Sequence, residues 1–233
     1  MENSENKSII STGSSNLAKT EKLLPVTQKI LSEIKPQYES IRIGNQEWMT
    51  RNLDVDRFRN GDLIPNFESY EEWEKTEENC QPAWCYYNND PEYGKKYGNL
   101  YNWYAVNDPK GLAPEGWHVP TYEELTILDE FLGGKNIAGY KMKSAKGWKA
   151  CKDEDGKIQN GNGNNSSKFN GFPGGFRNDI DSFGGIRYNA FFWSVTESGY
   201  SNARSFCLYF SSRYMDSYQS LKSFGASVRC LRE

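Results

Sequence analysis

The sequence predicts an α+β protein, on three observations. Strand patterns open and close the region from residue 40 onward, two helical patterns lie together between them, and a long Gly- and Asn-rich stretch separates the helices from the last strands. Elements grouped in blocks in this way argue against alternating βαβ units. Composition points in the same direction. Of 233 residues, 36% are hydrophobic but 15% are aromatic, with 15 Tyr, 12 Phe and 7 Trp, and there are 21 Gly and 9 Pro. Gly and Pro at this level favour turns over a helical bundle. The core is therefore expected to rest on few large rings, each with a polar edge that needs a partner.

Residues 1–39 stand apart. The first sixteen or so are Ser, Asn, Lys and Glu without periodicity, which is a disordered-tail composition. "LLPVTQKILSEI" (23–34) then places Leu23, Leu24, Ile30, Leu31 and Ile34 near helical spacing, with Pro25 suited to a first helical position. A short amphipathic helix follows, fit for a linker, a docking element, an oligomer contact or an ordinary packed helix.

The second region, 40–233, begins with "SIRIGNQEWMTRNLDV" (40–55), where alternating Ile41 and Ile43 precede a Gly44-Asn45 turn and predict a hairpin. Residues 56–96 read as polar and turn-rich, with "NNDPEYG" (88–94) a loop. A helix is predicted over "VPTYEELTILDEFLGG" (119–134). Thr121 caps it, Glu124 completes a capping box, Leu125, Leu128, Phe131 and Leu132 form the buried stripe, and Gly133 ends it. A second helix is expected across 136–145. Beyond it come short strands at Ser194–Thr196, Arg204–Phe210, Arg213–Tyr218 and Ala226–Leu231.

Charge excludes one class of partner. Twenty-eight basic against 31 acidic residues give −3 with no basic block, so nucleic acid is not expected. No window approaches the roughly 18 apolar residues of a membrane helix, and no apolar signal core opens the chain, which as written reads as cytoplasmic. The five cysteines, at 80, 85, 151, 207 and 230, form no CxxC pair and cannot all pair internally; free thiols are the expectation.

Catalytic signatures are few. The one histidine, His118, lies between Trp117 and Val119, a setting for a hydrogen-bonded structural role. No GxSxG or GxxxxGK[ST] occurs, which disfavours hydrolase and phosphate-loop chemistry. "DEDGKIQNGNGNN" (153–165) starts like a calcium loop, with Asp153, Asp155 and Gly156, but Asn164 stands where the bidentate Glu belongs. No cofactor is expected, with calcium at this loop as an open alternative. In "GFPGGFR" (171–177), Gly174 and Gly175 fit positive φ or ring packing against bare backbone.

Six motifs in order, "IGNQEWMTRNLDV" (43–55), "QPAWCYYNNDPEYGKKYGNLYNWYAV" (81–106), "APEGWHVPTYEEL" (113–125), "GFPGGFR" (171–177), "FFWSVTES" (191–198) and "FGASVRC" (224–230), closely resemble the Fibrobacter succinogenes major paralogous domain family. The resemblance covers about 40–233. It implies a C-type-lectin-like fold related to the formylglycine-generating sulfatase modifiers, with two helices, a small mixed sheet and long irregular loops. Under it, "GFPGGFR" and "FFWSVTE" read as scaffold. It also implies a non-catalytic module that binds a protein or a glycan through its C-terminal loops and strands. "RYMDSYQS" has the Tyr, Ser and charged residues favoured at adaptable binding surfaces. The candidate ligand-binding residues are Tyr188, Asn189, Tyr200, Asn202, Arg204, Arg213, Tyr214, Asp216 and Tyr218. Two alternatives share the fold: a variable protein of a diversity-generating retroelement, altered between Tyr188 and Ser223, and an oxidase-like relative in which Cys207 and Cys230 face each other. The Glu-Pro-Asn and Trp-Asn-Asp signatures of calcium-dependent sugar lectins are not matched.

Overall fold

In the computed structural model, residues 38–152, 155–178 and 182–233 are described, and the first and last strands of this region share one sheet. β1 (Ser40–Ile43) and β2 (Gln46–Met49) form the expected hairpin, turning at Gly44 with φ +60°. α1 (Tyr70–Asn79), β3 (Trp84–Cys85), α2 (Pro91–Tyr97), β4 (Leu100–Tyr101), α3 (Trp103–Val106) and β5 (Trp117–His118) follow. Then come α4 (Tyr122–Phe131), α5 (Ala138–Met142), β6 (Cys151–Lys152), β7 (Ile158–Gln159), β8 (Gly174–Arg177) and β9 (Phe183–Ile186). The chain ends with β10 (Asn189–Glu197), β11 (Asn202–Tyr209), β12 (Met215–Leu221) and β13 (Leu231–Arg232). Helices and strands are thus mixed but not alternating, an α+β architecture. The segment 23–34 lies outside the described residues.

One sheet has the order β1-β2-β13-β5, so the C-terminal strand sits between two N-terminal ones: Leu231 pairs with both Trp48 and His118. The larger sheet has the order β12-β11-β10-β8-β9 and is antiparallel except where β10 meets β8. Contacts within Glu39–Glu233 make it one compact unit.

Five α-helices among the described residues replace the two expected. α1 and α2 occupy the stretch read as polar and turn-rich. Their caps explain why: the Ser69 hydroxyl accepts from Glu72 N–H, and the Asp90 carboxylate accepts from Glu92 N–H with Pro91 at the first helical position. The same Asp-Pro-Glu that punctuates a loop also starts a helix. Apolar periodicity missed α1 because it buries only Trp73 and Thr76.

α4 is as expected, with the full capping box between Thr121 and Glu124 and Gly133 left-handed (φ +105°) just past its end. Phe131 departs from the expected stripe: it is 62% exposed, and its ring lies across the Gly44 turn, where a Cβ would come within 3.0 Å of it. α5 is shorter than its predicted span. Leu125, Leu128, Met142, Phe192, Phe206 and Leu208 form the main core between these helices and the larger sheet. Ser205, Cys207 and Leu208 are buried together with Phe206, because β11 is a central strand covered on both faces.

Indole N–H groups donate to neighbours throughout the fold: Trp73 to Ser223 O, Trp84 to Ile64 O, Trp103 to Ser194 O, Trp193 to Tyr101 O, Trp48 to Gln46 Oε1, and Trp148 to Ser144 Oγ. Each ring fills volume while its polar edge finds a partner, and the bonds of Trp73 and Trp84 fix loops.

"GFPGGFR" is scaffold, as the sequence indicated. Gly175 has φ +71°, and a Cβ there would lie 2.4 Å from Gly184 O. Arg177 is fully buried and donates to Phe67 O, Glu68 O and Ser69 O, at 2.7, 3.2 and 2.9 Å, tying the start of α1 to β8. Arg229, in "SVRC", is equally buried. It donates to Met49 O, to Phe169 O, to Asn170 O and to Asn52 Oδ1, the last at 2.6 Å, and lies 4.5 Å from the Phe169 ring. Burial pulls its pKa down to about 9, which still leaves it charged at neutral pH.

Replacing Arg229 with Met keeps the volume and strands several buried acceptors at about 1–3 kcal/mol each. Loss of about 3 kcal/mol or more is expected in denaturant unfolding; a change under about 1 kcal/mol would show that the carbonyls find other partners.

Candidate functional site

The turn between β11 and β12 (residues 210–214) is held from below by α5. Gly139 makes this approach feasible, since a Cβ there would sit 2.2 Å from Tyr214 O, and Tyr140 N–H donates to Arg213 O at 2.9 Å. One turn later Lys143 reaches under the hairpin. Its Nζ donates to Tyr209 O (2.8 Å), Phe210 O (3.2 Å) and Ser212 O (2.8 Å), which uses all three ammonium protons. Burial moves its pKa down to about 8, so the cation persists at neutral pH.

The β6–β7 hairpin and the Asn/Gly run after it form the opposite wall. A Cβ on Gly161 would meet Lys149 O at 1.9 Å and Phe210 O at 3.0 Å, and one on Gly163 would meet Lys143 O and Tyr140 O, both at 2.4 Å. Only bare backbone fits there. Asn162 Oδ1 accepts from Trp148 N–H at 2.9 Å, pinning the run to the core. Between the walls lies a cleft of about 340 Å³. Tyr140, Lys152, Gln159, Asn160 and Arg213 face it around the buried Lys143. The Arg213 guanidinium lies 4.5 Å over the Tyr140 ring. No carboxylate lines this cleft among the described residues.

The nine candidate residues do not form one patch. Arg213 lines the cleft, Tyr214 adjoins it, and Tyr188 packs edge-on to Phe210, another lining residue, at 5.0 Å. Tyr200, 97% exposed, and Asn202 sit at the other end of β11. Eight residues of strand separate the two ends by roughly 23 Å. Arg204 lies 5.1 Å over the Tyr122 ring on the face that meets α4. Asp216 and Tyr218 point to the other face, as the register with Cys207 and Ser205 requires. Burial pushes both side chains' pKa values upward, and Tyr218 also hydrogen-bonds Tyr209. Asn189 is corrected as a surface residue: it is 7% exposed and its amide donates to Cys207 Sγ at 3.6 Å.

Tyr140, Lys143 and Lys152 were missed as site residues, because nothing local in α5 or β6 marks them. Gln159, Asn160 and Asn162 belong to the stretch considered for calcium. Asp153 lies outside the described residues, and among those described no three His, Cys, Asp or Glu side chains gather to hold a metal.

His118 Nε2 lies 2.9 Å from Glu124 Oε1, the capping-box glutamate, consistent with a structural role. Cys207 lies in β11 of the larger sheet and Cys230 just ahead of β13 in the other, and both are fully buried, with burial pushing each thiol up to about 12. The facing, partly exposed pair that an oxidase-like site requires is therefore not formed. No helix among the described residues is long and apolar enough to cross a membrane.

The family model described as Fibrobacter succinogenes major domain matches residues 41–232. No curated protein matches the chain.

Two outcomes follow from this geometry. In the native protein, a thiol reagent should label Cys80 and Cys151 quickly, and Cys85, Cys207 and Cys230 only on unfolding; fast labelling of Cys207 would contradict its burial. Lys143→Met should lower stability by about 2 kcal/mol or more and speed amide exchange in residues 209–213, read by mass spectrometry.

Proposed function

We propose that this chain, which belongs to the Fibrobacter succinogenes major domain family, is a non-catalytic binding module of C-type-lectin-like fold. Its ligand, a protein or a glycan, meets the cleft between the β11–β12 turn and the β6–β7 hairpin. The observation that carries this reading is the convergence of residues 149–152 and 159–163 with the distant turn 210–214 on one concavity with a rigid base. Three carbonyl bonds to Lys143 and the glycine contacts hold both walls in place before any ligand arrives, which limits the ordering cost of association. The aromatic, amide and cationic side chains at the rim supply orientation. The lectin-like part of the reading draws support from the joined terminal strands, the neighbouring helices α4 and α5, and the long irregular connections.

A screen of glycans and surface proteins against the purified protein tests the reading. Any ligand found should bind at least about tenfold more weakly (about 1.4 kcal/mol) to Tyr140→Ala and Arg213→Ala, and equally well to Tyr200→Ala. Chelator should leave binding intact, since the described lining is cationic and contains no Asp or Glu. Binding lost in Tyr200→Ala and kept in the cleft variants would move the site to the opposite end of β11.

A further inference from the structure

The cleft has a sign as well as a shape. Lys143, Lys152 and Arg213 contribute three positive charges to its wall, and its described lining contains no Asp or Glu. This is unusual in a chain whose net charge is −3. Lys143 does not itself reach a ligand, because its three protons are taken by Tyr209, Phe210 and Ser212. Carbonyl dipoles solvate a cation without cancelling its charge, so its field persists in the low-dielectric base of the cleft. Arg213 differs. Its guanidinium stacks on Tyr140 with no carboxylate partner among the described residues, and stacking leaves its in-plane N–H fork available. Such a fork matches the two oxygens of a carboxylate or sulfate.

The neutral lining narrows the class further. Asn160, Asn162 and Ser211 offer amides and a hydroxyl, groups that exchange hydrogen bonds with sugar hydroxyls. A volume of about 340 Å³ accommodates one or two sugar rings rather than an extended peptide.

Building on the proposed binding role, we infer that the cleft selects an anionic saccharide: a sugar unit bearing a carboxylate or sulfate, its charge on Arg213 and Lys152 and its hydroxyls on the amide wall. Lys143 acts as a positioning residue, holding the turn that carries Arg213 and adding to the field.

The test is an array of uronate-, sialate- and sulfate-bearing oligosaccharides printed beside their neutral counterparts, with solution titration of the best acidic probe and of its neutral form. The uronate and sialate arms report on carboxylate, the sulfated arm on sulfate, and free inorganic sulfate on charge alone. The acidic probe is expected to bind at least tenfold more tightly than its neutral form and to weaken as salt rises. Arg213→Gln and Lys152→Gln should each erase most of that preference. Both positions are exposed or at the rim, so circular dichroism and unfolding should match the parent, while Tyr200→Ala keeps full binding.

Equal binding of acidic and neutral forms, abolished by the cleft variants, would overturn the charge selectivity and leave the cleft as the site. A protein ligand at the cleft with no saccharide bound would overturn the saccharide class alone. Acidic saccharide binding that survives both Gln variants and falls in Tyr200→Ala would overturn the inference and the cleft reading together.

Discussion

Three buried cations hold this fold together, and each is received by main-chain carbonyls. Arg229, Arg177 and Lys143 each push a charged head into the interior and surround it with main-chain carbonyl oxygens, with Asn52 Oδ1 added at Arg229. Burying a charge is costly unless its donors are satisfied. Here the satisfaction comes from loops, whose carbonyls would themselves be stranded without a donor. Each cation therefore gathers irregular backbone that no helix or strand ladder can serve.

That arrangement explains how a chain with 36% hydrophobic residues sustains so much irregular structure. The rings do related work from the other direction: Trp73, Trp84, Trp103 and Trp193 each bury area and direct one N–H at a main-chain carbonyl, the first two in loops and the last two in β10 and β4. Arg177 lies over Trp73 and Arg229 over Phe169, so cation and ring networks meet at shared residues. Apolar burial and loop order are supplied by the same side chains, and a substitution at one of them acts on both.

Legibility from the sequence followed the range of the interaction. The Thr121–Glu124 cap, the Gly44 turn and the scaffold role of Gly175 are short-range matters of backbone geometry, and their residues announced them. α1 and α2 were hidden because a partly solvated helix has little apolar period, and their caps resemble loop punctuation. Phe131 satisfied helical spacing yet ended outside the core, since it serves the β1–β2 turn instead. The cleft was half legible. Arg213 and the Asn/Gly run drew attention separately, but their meeting depends on Gly139, Gly161 and Gly163, whose contacts lie up to 75 residues away in sequence, from Gly139 to Tyr214. Asn189 misled because its polarity was read as exposure, whereas the interior uses it against Cys207.

The placement of β13 between β2 and β5 bears on how the chain reaches this state. Asn52 and Arg229 are 177 positions apart, and Leu231 closes on Trp48 and His118 at once. During synthesis, β1, β2 and β5 emerge with a vacant lane in their sheet, and the carbonyls of Met49 and Phe169 wait for a guanidinium that is translated 180 and 60 residues after them. Contacts this distant are slow to form, because loop-closure entropy must be met before they contribute. The domain is therefore latched from its final residues. A nascent or truncated chain that lacks them exposes an unpaired strand edge, the surface on which aggregation and chaperone capture both begin.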